Sequence, residues 1–299
     1  MRRWLNGAFR RRENEPFAIL RLGLGLACFL EFLTFAPRVL EDFSSLGYYP
    51  WSARGEFGPD PGPLYLLGLS DEPAWVLLCY IGLLVTAALF ALGWRTRWTG
   101  PLLWLLQLSF IDRNVYVMTG APILSTQLLL IVMWFDLGGP PGLKNSVRQP
   151  GPPAWAGWLL YLQMSICYFK SGFYKAMGKA WMDGDAVKLM LANPDWRRLN
   201  FDGWLAQSWV LRGVEAFTHL TAAWELLFPL LLLNPKTRKA ALALGILIHT
   251  GQFFTVSTAS FPLLLLATYP CLLGDGDYAA LRSALGARLP SRFRSKRQE

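Results

Sequence analysis

Ala154-Trp-Ala-Gly-Trp-Leu-Leu-Tyr161-Leu-Gln163-Met-Ser165-Ile-Cys-Tyr168-Phe-Lys170-Ser171-Gly172-Phe-Tyr174-Lys175 is a transmembrane-length run that ends in lysine, and Trp181, Asp183 and Gly184 follow it. A bilayer-spanning helix needs about 20 predominantly apolar residues, and this stretch has that length. Lysines within such a run are costly in hydrocarbon, so an intramembrane ionisable group marks a candidate functional site. The segment therefore predicts both a helical membrane fold and the place to look for chemistry.

The rest of the chain agrees. Its residues are 53% apolar and 14% aromatic but only 16% charged, and its mean hydropathy is +0.29, beyond the range usual for a soluble domain. Eight hydrophobic segments stand out, at about 17–36, 74–93, 99–115, 122–138, 154–175, 210–233, 240–257 and 259–273. Continuous runs such as Leu128-Leu-Leu-Ile-Val-Met-Trp134 lack the alternation of a membrane β-barrel. The expected fold is an all-α integral membrane protein, a polytopic bundle of about eight transmembrane helices. It divides into a basic N-terminus (1–16), a transmembrane domain (17–273) and a basic tail (274–299). Taking the termini and alternate loops as cytoplasmic places 18 lysines and arginines inside and 7 outside. The positive-inside rule then puts both termini in the cytoplasm and Lys175 at the outer end of its helix. The net charge of +9 is accounted for by this asymmetry, which points to membrane lipid rather than nucleic acid as the partner.

The first hydrophobic segment is too long for the core of a signal peptide and carries Arg21 and Glu31, so it is read as a helix. Cys28, Cys79, Cys167 and Cys271 fall singly in four segments and read as small apolar fillers. Asp183, Asp185, Asp195 and Asp202 are scattered without ligand spacing, and no metal site is expected. The proline-rich stretch 37–73 predicts fixed turns rather than a helix, and Ala186 to Leu191 predicts a short interfacial helix.

Helical spacing gives the lysine-tipped segment two polar stripes, Tyr161, Tyr168, Ser171 and Lys175 on one and Gln163, Cys167, Lys170 and Tyr174 on the next. Hydroxyls leading to a lysine suit a polar interior in a helix bundle. Snorkelling of Lys175 to the headgroups is the other reading. Segments 210–233 and 240–257 add Arg212, Glu215, His219 and Glu225, then His249 and Gln252. Two histidines, two lysines and two acids on consecutive spans favour a site.

The pattern Tyr168-Phe-x-x-Gly172-x-x-Lys175 with Trp181-x-x-Gly184 resembles the membrane domain shared by vitamin K-dependent gamma-glutamyl carboxylases and the bacterial horizontally transferred transmembrane (HTTM) domain proteins. Further matches are Arg21, Asp112-Arg113-Asn114, Thr221-x-x-x-Glu225-x-x-x-Pro229 and His249-x-x-Gln252-x-Phe254 before Phe261-Pro262. The resemblance implies a lyase of the bacterial cytoplasmic membrane that uses reduced vitamin K or menaquinone. A lysine at the Lys175 position deprotonates the quinol, oxygen converts it to an alkoxide that abstracts a proton from carbon, and carbon dioxide captures the carbanion. Hydrocarbon disfavours ammonium relative to amine, which suits a lysine base. By the same resemblance Lys175 and His249 are the catalytic candidates. Tyr168, Lys170, Ser171 and Gln252 line the lipid-quinone site, with His219 and Glu225 behind them.

Two departures temper the expectation. The carboxylases carry a large lumenal region that holds their protein substrate, and this sequence shows none. The loop Val117-Met-Thr-Gly120-Ala-Pro lacks the histidine of the carboxylases. The lysine base is therefore expected to serve a different acceptor, in quinol oxidation alone or in modification of a small or peptide substrate made by a partner protein. Alternatives are a non-catalytic assembly or maturation partner, with the polar groups as interhelical ties, and a transporter.

Overall fold

The computed structural model describes residues 8–48, 65–138, 150–258 and 260–288. Among them, helices overlie all eight hydrophobic segments. Three are long and apolar enough to cross a membrane: Glu15–Leu33, Pro73–Leu92 and Ser208–Leu233. At 1.5 Å rise per residue a 20-residue helix spans about 30 Å, the thickness of the hydrocarbon core. Gly120–Val132 and Phe261–Leu272 are apolar but shorter. The chain divides into two compact units, residues 1–157 with 275–299, and residues 158–274.

The first unit contains strand β1 (Arg11–Glu13), helices α1 (Glu15–Leu33), α2 (Val39–Phe43), α3 (Pro73–Leu92), α4 (Thr96–Arg113) and α5 (Gly120–Val132), and strand β2 (Pro150–Pro153). Pro16 starts α1, where its missing N–H costs nothing. Buried positions along α1 recur at helical spacing: Phe17, Leu20, Leu24, Cys28 and Phe32. Gly25 lets α1 lie directly on α3, since a Cβ there would fall 2.6 Å from Ala91 N and 2.7 Å from Ala87 O. Gly93 ends α3 at φ +80°, the left-handed cap that glycine adopts freely. Phe43 and Phe110 pack edge to face at 5.0 Å, joined by Phe32 at 5.7 Å from Phe110 and by Phe35 at 5.4 Å from Phe43.

Polar groups buried in this unit are tied to backbone. Arg21 donates to the Gly138 and Leu137 carbonyls, Arg113 to Ser44 O at 3.2 Å, and Asn114 to Asp42 O at 2.9 Å. Gln107 donates to Pro122 O at 3.0 Å, and Thr119 gives its hydroxyl to Glu31 at 2.5 Å.

One local expectation changes. The stretch 37–73 does include a helix, α2, which takes Arg38 and Asp42 into an i,i+4 pair at 3.8 Å; residues 49–64, with Pro50, Pro59, Pro61 and Pro63, lie outside the described residues. In the N-terminal segment, β1 pairs antiparallel with β2. The C-terminal segment forms a helix over Asp275–Arg288. Asp275 in its first turn binds Arg10 at 2.7 Å and Arg12 at 3.0 Å, and Arg282 reaches Glu15 at 3.0 Å. Four free thiols, three of them buried, agree with the reading of the cysteines as fillers.

Helix α6 (Ala154–Met177) crosses into the second unit. It is followed by α7 (Lys179–Met182), α8 (Ala186–Ala192), α9 (Asp202–Leu205), α10 (Ser208–Leu233), α11 (Pro235–Thr255) and α12 (Phe261–Leu272). The short helix expected from Ala186 is α8. Asn234 breaks the chain between α10 and α11: it caps α11 by accepting from Lys236 N at 2.9 Å, with Pro235 at the first position. The segment after α8 is fastened to the end of α11 by Arg198 N to Thr255 O at 2.9 Å and Ser257 N to Trp196 O at 2.6 Å. Three acids here are engaged by cations, Asp183 with Lys179, Asp185 with Lys188 and Asp202 with Arg197.

Candidate functional site

The site lies wholly in the second unit and begins with a glycine. A Cβ at Gly172 would sit 2.3 Å from Leu226 N and 2.8 Å from the Glu225 carbonyl carbon, so α6 and α10 touch backbone to backbone there. Small residues permit such an approach between membrane helices. Three residues along α6, Lys175 reaches Glu225 on α10: Nζ to Oε1 is 2.5 Å. The lysine side chain keeps 19% of its accessible surface and the glutamate 7%. Lys175 also stands 4.6 Å above the Trp181 ring, a cation–π contact supplied by α7. Glu225 Oε2 is buried and has no hydrogen-bond partner among the described residues.

One α10 turn holds both halves of the site, because Trp224 precedes Glu225. The Trp224 ring packs edge to face on Tyr168 at 5.0 Å and on Phe228 at 5.2 Å, and its Nε1 donates to Ala241 O at 3.1 Å. Tyr168, two turns before Lys175 on the same stripe of α6, is buried. Its hydroxyl lies 2.7 Å from His249 Nε2 and 2.6 Å from Tyr269 OH. His249 Nδ1 is 3.2 Å from Gln252 Oε1, and Gln252 Nε2 donates to Thr258 Oγ1 at 3.3 Å. With the Gln252 amide oriented in this way, Nδ1 carries the hydrogen. Nε2 then accepts from Tyr168, whose oxygen accepts from Tyr269. Both ring nitrogens of His249 are engaged, Nε2 by Tyr168 and Nδ1 by Gln252. Gly245 clears the space, since a Cβ there would lie 2.2 Å from Tyr269 OH.

Of the residues singled out from sequence, Lys175 and Glu225 meet directly, and Tyr168, His249 and Gln252 form one hydrogen-bonded chain. Ser171 is half-buried on the inward side of α6. Lys170 is exposed, with its ammonium 6.0 Å from the Tyr174 ring, and it shares its outward face with Phe169 and Phe173. His219 is also exposed. It neighbours Gly184, whose φ of +80° and closeness to Glu215 Cγ and His219 Nε2 leave no room for a side chain. Two contributors escaped the sequence reading. Tyr269 is the one aromatic hydroxyl in the apolar run Phe261-Pro-Leu-Leu-Leu-Leu-Ala-Thr-Tyr269, and that was the available signal. Trp224, next to Glu225, carried none beyond its size.

Outside the spans, the electrostatics are those of ordinary exposed pairs. The hydrogen bond from Arg197 holds the Asp202 carboxyl below its usual range, and the hydrogen bond and charge of Asp183 raise Lys179 above its own.

The model of the HTTM domain matches residues 69–274. The chain belongs to the HTTM domain family. The match includes the whole second unit, and so every residue of the cluster around Lys175 and Tyr168; Arg21 lies before it. No curated protein and no solved structure matches the chain. The HTTM domain is associated with vitamin K-dependent carboxylase-like membrane proteins, and together with the apolar helices it makes this a membrane protein.

Proposed function

We propose that this HTTM protein is a membrane-embedded, vitamin K-dependent-carboxylase-like enzyme of the bacterial cytoplasmic membrane, with Lys175 as a general base acting on a reduced lipid quinone. The observation that carries this reading is the direction of Lys175. Its ammonium turns to Glu225 and the Trp181 face instead of extending to the headgroups, as a snorkelling lysine does. A base must be held where it can meet its proton, and the Gly172 contact fixes the two helices that bring Lys175 and Glu225 together.

A reduced naphthoquinone suits the donor set: an aromatic face at Trp181, an acceptor at Glu225 Oε2 and a cation at Lys175. When bound it supplies an acidic hydroxyl and a ring that reacts with oxygen. Lys175 takes a proton at Nζ, Trp181 covers one side of the ammonium, and the Tyr168–His249–Gln252 chain holds the packing of α6 on α11. The apolar outer face of α6, with Phe169, Phe173 and Tyr174, borders lipid, the phase from which a lipid quinone arrives. In this picture the eight helices span the bilayer, both termini are cytoplasmic, and Lys175 lies near the outer surface. Capture of carbon dioxide by a peptide or protein substrate belongs to the same reading and rests on resemblance alone.

One observation favours a second reading, in which the protein assists assembly of a partner: the Tyr168 hydroxyl ties three helices together, reaching His249 on α11 and Tyr269 on α12. Turnover of reduced menaquinone separates the two. Lys175→Ala in native membranes is expected to abolish turnover if the base reading holds. Under the assembly reading it leaves any turnover untouched, and a partner protein copurifies.

A further inference from the structure

We propose that Glu225 is a catalytic residue and the resting place of the proton that Lys175 removes, so that the two side chains act as one base. The inference rests on the reading of Lys175 above and deepens it. A lysine paired with a carboxylate at 2.5 Å is loaded with a proton and has no lone pair to offer. It becomes a base only if that proton has somewhere to go. Among the described residues, the carboxylate paired with Nζ is Glu225, whose Oε1 makes the contact and can receive that proton.

Glu225 is built for the task by what it lacks. Its side chain is more than nine-tenths buried, and only one of its oxygens has a donor; Oε2 has none. A buried carboxylate left with an unsatisfied oxygen is an incompletely compensated anion. Adding a proton, or a donor from outside, relieves that deficit. A purely structural ion pair in the same place would be expected to have both oxygens occupied, because a buried pair repays its desolvation only when the remaining lone pairs are hydrogen-bonded.

The step balances without another reactant. Nζ passes one proton across the existing contact to Glu225 Oε1 and, through the lone pair so released, takes the proton of the substrate hydroxyl. One O–H bond forms on Glu225 and one breaks in the substrate, whose oxygen keeps the electron pair. Lys175 remains an ammonium ion beside the new oxyanion, which it stabilises directly. The ligand class follows: an apolar molecule with an acidic, phenol-like hydroxyl. Oε2 is free to accept from a second hydroxyl or to hold the arriving one before transfer.

The test is infrared difference spectroscopy on the full-length protein in nanodiscs, with 1-naphthol as a redox-silent probe, alongside turnover of reduced menaquinone. On adding naphthol a protonated carboxylic C=O band is expected in the wild type and is expected to vanish in Glu225→Gln, which keeps the shape and the contact with Lys175 but cannot take a proton. Turnover by Glu225→Gln is expected to fall about 100-fold with binding retained. Should Glu225→Gln fail to fold, Glu225→Asp replaces it, and the band is expected to shift in frequency. Absence of the band in the wild type, or an unchanged band in the Gln or Asp variant, overturns the proposal even if reduced menaquinone turns over. A Glu225-dependent band in a protein that does not oxidise reduced menaquinone upholds the shared base and overturns the quinol reading instead.

Discussion

The first unit of this protein buries cations fully, the second encloses one in part, and the two treat them differently. In the first unit Arg21 and Arg113 are fully buried and give their guanidinium protons to main-chain carbonyls of Gly138, Leu137 and Ser44. A carbonyl cannot accept a proton outright, and arginine stays charged, so these contacts are permanent ties between segments. In the second unit Lys175 meets a single carboxylate oxygen. Lysine and glutamate both exchange protons, and the second oxygen of Glu225 has no donor. Under the proposed function, the contrast separates a cation that holds a fold from one that is set up to react.

The first unit should therefore respond to loss of its cation in stability alone. Arg21→Ala leaves buried carbonyls without their donor and opens a cavity, and a loss of about 3–5 kcal/mol is expected, enough to reduce folded protein in membranes. Detergent thermal stability measures it.

In the second unit stability and activity should come apart. Lys175→Met strands a buried carboxylate and is expected to cost about 3–5 kcal/mol, whereas Lys175→Met with Glu225→Leu removes both charges and should recover most of that loss. Turnover should be absent from both. A double variant as unstable as the single one would show that the pair does not behave as an isolated buried ion pair.

Smaller effects follow from the supports. Gly172→Val forces α6 off α10 and is expected to cost about 1–3 kcal/mol while separating Lys175 from Glu225. Tyr168→Phe removes the hydroxyl that joins His249 to Tyr269, leaving both short of a partner; about 1–3 kcal/mol is expected. Its turnover should fall less than that of Lys175→Met, since Tyr168 positions helices and does not touch the reacting proton.

The smallest effect belongs to the exposed outer segment. Asp202 is held below its usual titration range by the Arg197 hydrogen bond, so its contribution is complete above about pH 4 and is lost as the pH falls through its folded value. Asp202→Asn should remove that acid-side change in hydrogen exchange of the residue 193–202 backbone and leave turnover alone.

Much of this was legible because the signals were long or periodic. Apolar runs gave the eight helices. The seven-residue step from Tyr168 to Lys175 gave the inward stripe, which the structure keeps. Lys170 lies on the neighbouring stripe, and spacing alone does not say which of two adjacent stripes faces the interior; packing of Gly172 on Leu226 decides it. Glu225 reads from sequence as a supporting residue and is in fact the direct partner, because helix crossing angles and register between separate segments are not written in either segment. The β1–β2 ribbon was illegible for a chemical reason: Pro150-Gly-Pro-Pro has neither strand alternation nor the usual donors. His219 drew attention as one of two histidines in hydrophobic runs, yet it lies on the exposed side of α10 beside Gly184.

The most direct test of Lys175 as the base is single-turnover oxidation of reduced menaquinone in proteoliposomes by wild type, Lys175→Ala and Lys175→Arg, each shown to be folded. Wild-type protein is expected to oxidise the bound quinol, and both variants to lose at least about 100-fold in rate while still binding it. Normal turnover by Lys175→Ala would contradict the assignment of the base.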